Sequence, residues 1–152
     1  MKPTREVAPL DVLLVEDSPG DVRLTREAFR EVNGAVRLHV TPDGVAAMAF
    51  LRREAEYVDA PRPDFILLDL NLPRMDGREV LASIKADNDL RTIPTVILTT
   101  SEAAADILKS YELNVNACLR KPVTWEAFEN LVTSINDFWL TKVLLPQRKQ
   151  AS

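Results

Sequence analysis

Four short apolar runs in the chain end in residues that carry chemistry. Val12 to Val15 is followed by Glu16-Asp17, and Phe65 to Leu68 by Asp69, with Asn71 two residues on. Thr95 to Leu98 is followed by Thr99, Thr100 and Ser101, and Ala117 to Leu119 leads to Lys121-Pro122. Taken singly, each has a bland explanation: a helix N-terminus, a turn, strand filler or a solvated loop charge. Taken together they make one set, because all fall at the same end of their runs while the opposite ends show nothing comparable.

Three carboxylates about 5 Å apart repel by about 3 kcal/mol per pair at an effective dielectric near 20, so the set needs a cation or a proton. With no His or Cys among the donors, an oxygen-only site suits Mg²⁺, with Glu16 and Asp17 holding the ion and Asn71 adding a backbone carbonyl. A carboxylate beside such an ion can attack an incoming phosphoryl group. Asp69 is the expected nucleophile, since it ends the most apolar run and so lies deepest. Lys121 would pair with the phosphoryl oxygens and Thr99 would donate to one of them.

The elements that must hold this set follow from the pattern between the runs. Short apolar runs alternate with longer amphipathic stretches, which predicts β-α units feeding a parallel sheet. The runs at 12–15, 65–68 and 95–98 are nearly unbroken Val, Ile and Leu, as expected of central strands covered on both faces. Val36 to Val40, interrupted by Arg37 and His39, and the short Ala117 to Leu119 suit the edges. Ser18-Pro19-Gly20-Asp21 has an N-cap, a proline at the first helical position and an acid at the third, so the first helix is expected to start there. Further helices are expected over 44–54, 78–85, 103–111 and 125–138. The prediction is one doubly wound five-stranded α/β sheet, whose ligand site lies beyond the carboxyl ends of the strands.

The chain is 152 residues with 19 Lys+Arg against 23 Asp+Glu, a length suited to one domain. At 46% apolar residues it can build a core without staples, and the single Cys118 excludes a disulfide framework or a cysteine zinc site. A cytoplasmic protein is expected. Scattered basic residues in a mildly acidic chain argue against nucleic-acid binding, and no run approaches the roughly 20 apolar residues of a membrane span.

Four segments, VLLVEDS, DFILLDLNLPRMDG, IPTVILTTS and LRKP, agree in order and spacing with one family. Over about Asp11 to Phe138 the chain resembles the receiver domain of two-component response regulators. The resemblance implies a flavodoxin-like (βα)5 fold of strand order 2-1-3-4-5 and phosphoryl transfer from a sensor histidine kinase onto Asp69. Glu16 and Asp17 match the family's acidic pair, Asn71 its metal-binding carbonyl, Thr99 its switch hydroxyl and Lys121 its lysine, and Lys121-Pro122 is similar to its cis peptide. One departure stands out. The family usually has an aromatic switch residue where this chain has Cys118, so the phosphorylation signal is expected to travel mainly through the loop after strand four. Thr100, where many receivers have a smaller residue, is expected to slow hydrolysis of the acyl phosphate.

Beyond the receiver, 139–152 forms a C-terminal extension in which Trp139, Leu140, Val143, Leu144 and Leu145 are too apolar to leave in water without cause. Two expectations follow: packing on its own domain, or exchange between subunits in a homodimer through this arm and the helix-five region. The FWLxxxxLP pattern is similar to single-domain receivers that partner phytochrome-type kinases. With no residues left for an output module, the expected role is a phosphoacceptor switch or relay rather than an enzyme acting on others. A phosphatase with Asp69 as nucleophile is disfavoured, because the residue two positions on is Asn71 and not an acid. A phosphorylation-independent adaptor is disfavoured because no acidic or lysine position is missing. The arginines of the first helix, Arg23, Arg26 and Arg30, lie where the family docks its kinase, and His39 is expected to be a surface residue.

Overall fold

The computed structural model describes residues 10–31, 36–69, 72, 74–99, 117–120, 126 and 130. Five strands, β1 (Leu10–Val15), β2 (Val36–Thr41), β3 (Phe65–Asp69), β4 (Thr95–Thr99) and β5 (Ala117–Arg120), form one sheet of order β2-β1-β3-β4-β5. Each neighbouring pair is parallel. The expected order is therefore found, with the unbroken apolar runs at the centre and the Arg37-His39 strand at one edge. The helices expected over 103–111 and 125–138, the extension 139–152, and the Lys121-Pro122 peptide lie outside the described residues, positions 126 and 130 apart.

Side chains alternate across the strands, and the core divides accordingly. Val12, Leu14, Phe65, Leu67, Val96 and Leu98 pack against Ala28 and Phe29 of α1 (Pro19–Glu31). Leu13, Val15, Ile66, Leu68 and Ile97 face the other way, against α2 (Gly44–Arg52) and α3 (Gly77–Ala86). Burial on both faces is why these three strands contain no polar alternation.

Helix ends follow local chemistry. The Asp21 N–H donates to Ser18 Oγ at 3.3 Å, so α1 begins where the sequence marks it. The α2 helix stops at Arg52, short of the expected 54, because Arg53 turns left-handed at φ 57° and its N–H closes the last turn onto Ala49 and Phe50. Asp76 opens α3 with a capping box: its carboxylate accepts from Arg78 N–H, while its own N–H donates to Glu79 Oε1 at 3.0 Å.

The amino ends of the strands correct one expectation, since they are not bare. The Asp11 carboxylate, fully buried, accepts from Arg37 Nε at 2.8 Å and Arg37 Nη2 at 3.0 Å, with His39 Nε2 at 2.9 Å. The Asp11 N–H donates to Asp64 Oδ2 at 2.8 Å. His39 is therefore a half-buried partner of a buried carboxylate rather than a plain surface residue, and its ring also lies 5.5 Å from Phe50. The register pairs Asp11 with Arg37 across β1 and β2, bringing together charges that are far apart in sequence.

Candidate functional site

The register between β1 and β3 builds the acidic site. Val15 stands opposite Leu68, so Glu16 and Asp69, each one residue further on, reach the carboxyl edge side by side. Oxygens of Glu16, Asp17 and Asp69 lie within 4.8 Å of one another. Glu16 is 3% exposed and Asp69 6%, while Asp17 faces solvent. Glu16 is held from two sides: its N–H donates to Thr41 O at 3.0 Å, and its Oε2 accepts from Ser18 N–H at 3.1 Å. The acid thereby fastens β1 to β2 and shapes the turn into α1.

At that spacing, each carboxylate pair repels by about 3 kcal/mol at an effective dielectric near 20. Two of the three acids are shielded from water, which sharpens the need for a counter-charge. Carboxylate oxygens without nitrogen or sulfur donors fit a hard divalent cation that keeps part of its water shell. The donor set on this edge therefore suits the ion expected from the sequence.

Of the other expected site residues, Thr99 is placed as a strand position. Asp69 pairs with Leu98, so Thr99 stands one residue beyond the acid, opposite Arg120 of β5. Cys118 is likewise placed by the register, opposite Ile97. Asn71, Thr100 and Lys121 lie outside the described residues.

Sequence reasoning missed an ion pair between the segments that follow β2 and β3. Asp43 caps α2, with its Oδ1 accepting from Ala46 N–H at 2.8 Å, and its Oδ2 lies 3.4 Å from Arg74 Nη1. The turn pair Asp43-Gly44 after β2 was the available signal for a cap, but nothing local pointed to Arg74. A cavity of about 800 Å³ opens elsewhere, at the amino ends, with Arg52, Arg53, Arg62, Asp64, Asp87 and Asp89 in its wall. Its charges are mixed, and Arg62 is already engaged by Asp89 and Thr92, so the chemistry lies with the acidic edge.

A five-stranded parallel sheet of this order, with a carboxylate trio over the ends of two of its three central strands, defines a flavodoxin-like α/β domain. The family model for the response regulator receiver domain matches residues 12–135, and the chain belongs to that family. It is 49% identical over 138 residues to the response regulator Rcp1 of Synechocystis sp., an alignment covering 91% of this chain and 94% of Rcp1. The phosphorylated cyanobacterial phytochrome response regulator RcpA superposes with a TM-score of 0.88 at 46% identity, covering 92% of this chain and all of that one (100%). The Mn²⁺-bound form of Rcp1 gives 0.86 at 49% identity, covering 91% and 100%. Among the described residues no helix is long and apolar enough to cross a membrane.

Proposed function

We propose that this response regulator takes a phosphoryl group from a sensor histidine kinase onto Asp69. The observation that carries the reading is the gathering of Glu16, Asp17 and Asp69 within 4.8 Å at the carboxyl edge of the sheet. In the transfer, an Asp69 carboxylate oxygen attacks phosphorus and a P–O bond forms as the P–N bond to the kinase phosphohistidine breaks; the proton already on the other ring nitrogen lets the histidine leave as neutral imidazole, with an acyl phosphate on Asp69. Glu16, Asp17, Asp69 and the Asn71 carbonyl would hold Mg²⁺, which when bound offsets the charge between carboxylate and phosphoryl oxygens. Lys121 is read as the partner of those oxygens and Thr99 as the hydroxyl that senses them. The chain catalyses only its own phosphorylation and dephosphorylation.

Incubation with acetyl phosphate and Mg²⁺, read by intact mass, tests this directly. Wild type gains one phosphoryl group and Asp69→Asn gains none; an equal gain in both overturns the assignment.

The cognate kinase is read as phytochrome-type, in line with the likeness to the cyanobacterial phytochrome response regulator RcpA and the FWLxxxxLP pattern. Faster transfer from a purified phytochrome kinase than from an unrelated histidine kinase is the expected result. We read 11–138 as the receiver and 139–152 as an arm that joins two copies, supported by the apolar residues Trp139 to Leu145. Truncation after Phe138 should then halve the mass seen by light scattering. A cytoplasmic site of action accords with the single thiol.

A further inference from the structure

We propose that the turn between β2 and α2 braces the loop that leads out of Asp69, with Asp43 and Arg74 as positioning residues for metal binding. The proposal rests on the phosphoacceptor reading and adds to it a regulator of the same site. The loop runs from Asp69 to the cap of α3 at Asp76, and Asn71 belongs to it in sequence. Its start is fixed by β3 and its far end by the capping box, and positions 74 and 75, just before that cap, are fixed from outside.

Two contacts do this. Asp43, only 7% exposed, already spends Oδ1 on the Ala46 N–H and turns Oδ2 toward Arg74 Nη1 at 3.4 Å. Arg74 adopts a left-handed backbone, φ 65°, a conformation that side chains other than glycine rarely take. Beside it, Gly44 lies so close to the loop that a Cβ there would sit 2.1 Å from Met75 O and 2.5 Å from Met75 Cβ. The chain thus meets the turn backbone to backbone at Met75 and by an ion pair at Arg74. Leu72 and Met75 pack onto the core beneath, which holds these two positions against the turn.

The test compares Asp43→Asn, Arg74→Gly and the double variant. Asparagine keeps the acceptor for Ala46, and glycine suits the left-handed position, so neither change removes a cap or adds strain. Mg²⁺ affinity is read by titration calorimetry, and the acetyl phosphate rate is read at saturating Mg²⁺. Each single variant should bind Mg²⁺ about fivefold more weakly with an unchanged saturating rate, and the double variant no more weakly than either single. Arg74→Lys should recover most of the loss. Wild-type affinity in both singles, or losses that multiply in the double, overturns the proposal. Amide exchange over 72–76 separates the two readings if wild type neither binds Mg²⁺ nor takes a phosphoryl group. The phosphoacceptor reading then falls, while faster exchange in the variants upholds the brace and unchanged exchange overturns it.

Discussion

Glu16 and Asp69 lie level with each other at the carboxyl edge because their predecessors, Val15 and Leu68, are register partners. Two carboxylates, 3% and 6% exposed, are thus forced together by backbone hydrogen bonding rather than by any attraction of their own. The energy of the sheet holds a repulsive pair in place, and a bound cation would relieve it.

Glu16→Gln separates the two effects. The amide keeps an oxygen for the Ser18 N–H, bonded at 3.1 Å in wild type, and removes one negative charge. Without metal the variant should be more stable than wild type by about 1 kcal/mol, as like-charge repulsion falls. With Mg²⁺ at about 100 times the wild-type dissociation constant, wild type should gain about 2.7 kcal/mol, and the variant less than half of that. Urea melts with and without Mg²⁺ measure both. A variant that is less stable without metal contradicts the account.

What could be read from the sequence was what depends on neighbours in the chain. Runs such as Phe65-Ile66-Leu67-Leu68 announce central strands because both faces must be apolar, and the residue after each run must emerge at an edge. Ser18 announces α1 because its hydroxyl needs only the amide three residues on. The network around Asp11 was hidden because it depends on β1–β2 register, which single-strand patterns leave open. The Asp43–Arg74 pair spans 31 positions, and no local signal connects its two ends.

The Asp11 network supplies a second test. Arg37, whose side chain is 55% exposed, can rehydrate when its partner is lost, whereas the Asp11 carboxylate, 1% exposed, cannot. Arg37→Ala should therefore cost about 1 to 2 kcal/mol, because it strips the buried carboxylate of its two-point partner while His39 stays beside it. Adding Asp11→Asn should recover part of that loss, so the double variant is more stable than Arg37→Ala in urea melts. Five residues along β1, about 16 Å, separate Asp11 from Glu16, so acetyl phosphate labelling should be unchanged in both. A double variant less stable than the single would refute the buried-charge explanation.

Thr41 presents the reverse case. Its side chain is fully buried, and Oγ1 has no hydrogen-bond partner among the described residues. The backbone carbonyl still accepts from Glu16, so the turn does not depend on the hydroxyl. Thr41→Val keeps the shape and removes the unsatisfied group, which should raise stability by about 1 kcal/mol. A loss of similar size in thermal melts would show that the hydroxyl is satisfied in solution.

Asp87 gives the fold a predictable response to acid. It follows α3, and its Oδ1 accepts from Leu90 N–H at 3.1 Å and from Asp89 N–H at 2.8 Å. The Leu90 amide, then the Asp89 amide, hold its carboxyl below the ordinary 3.8, with Arg52 and Arg62 adding a smaller pull and partial desolvation opposing them. Because the folded value is the depressed one, the carboxylate stabilises the fold above 3.8, and that contribution fades as the pH falls through the lower, folded value. Asp87→Ala should thus melt at lower urea than wild type at neutral pH, and the gap should close in acid. Asp87→Asn, which keeps an acceptor but no charge, should melt above Asp87→Ala by an amount that does not change with pH, while its gap to wild type also closes in acid. A gap that widens in acid would mean the carboxylate is not the form the turn prefers.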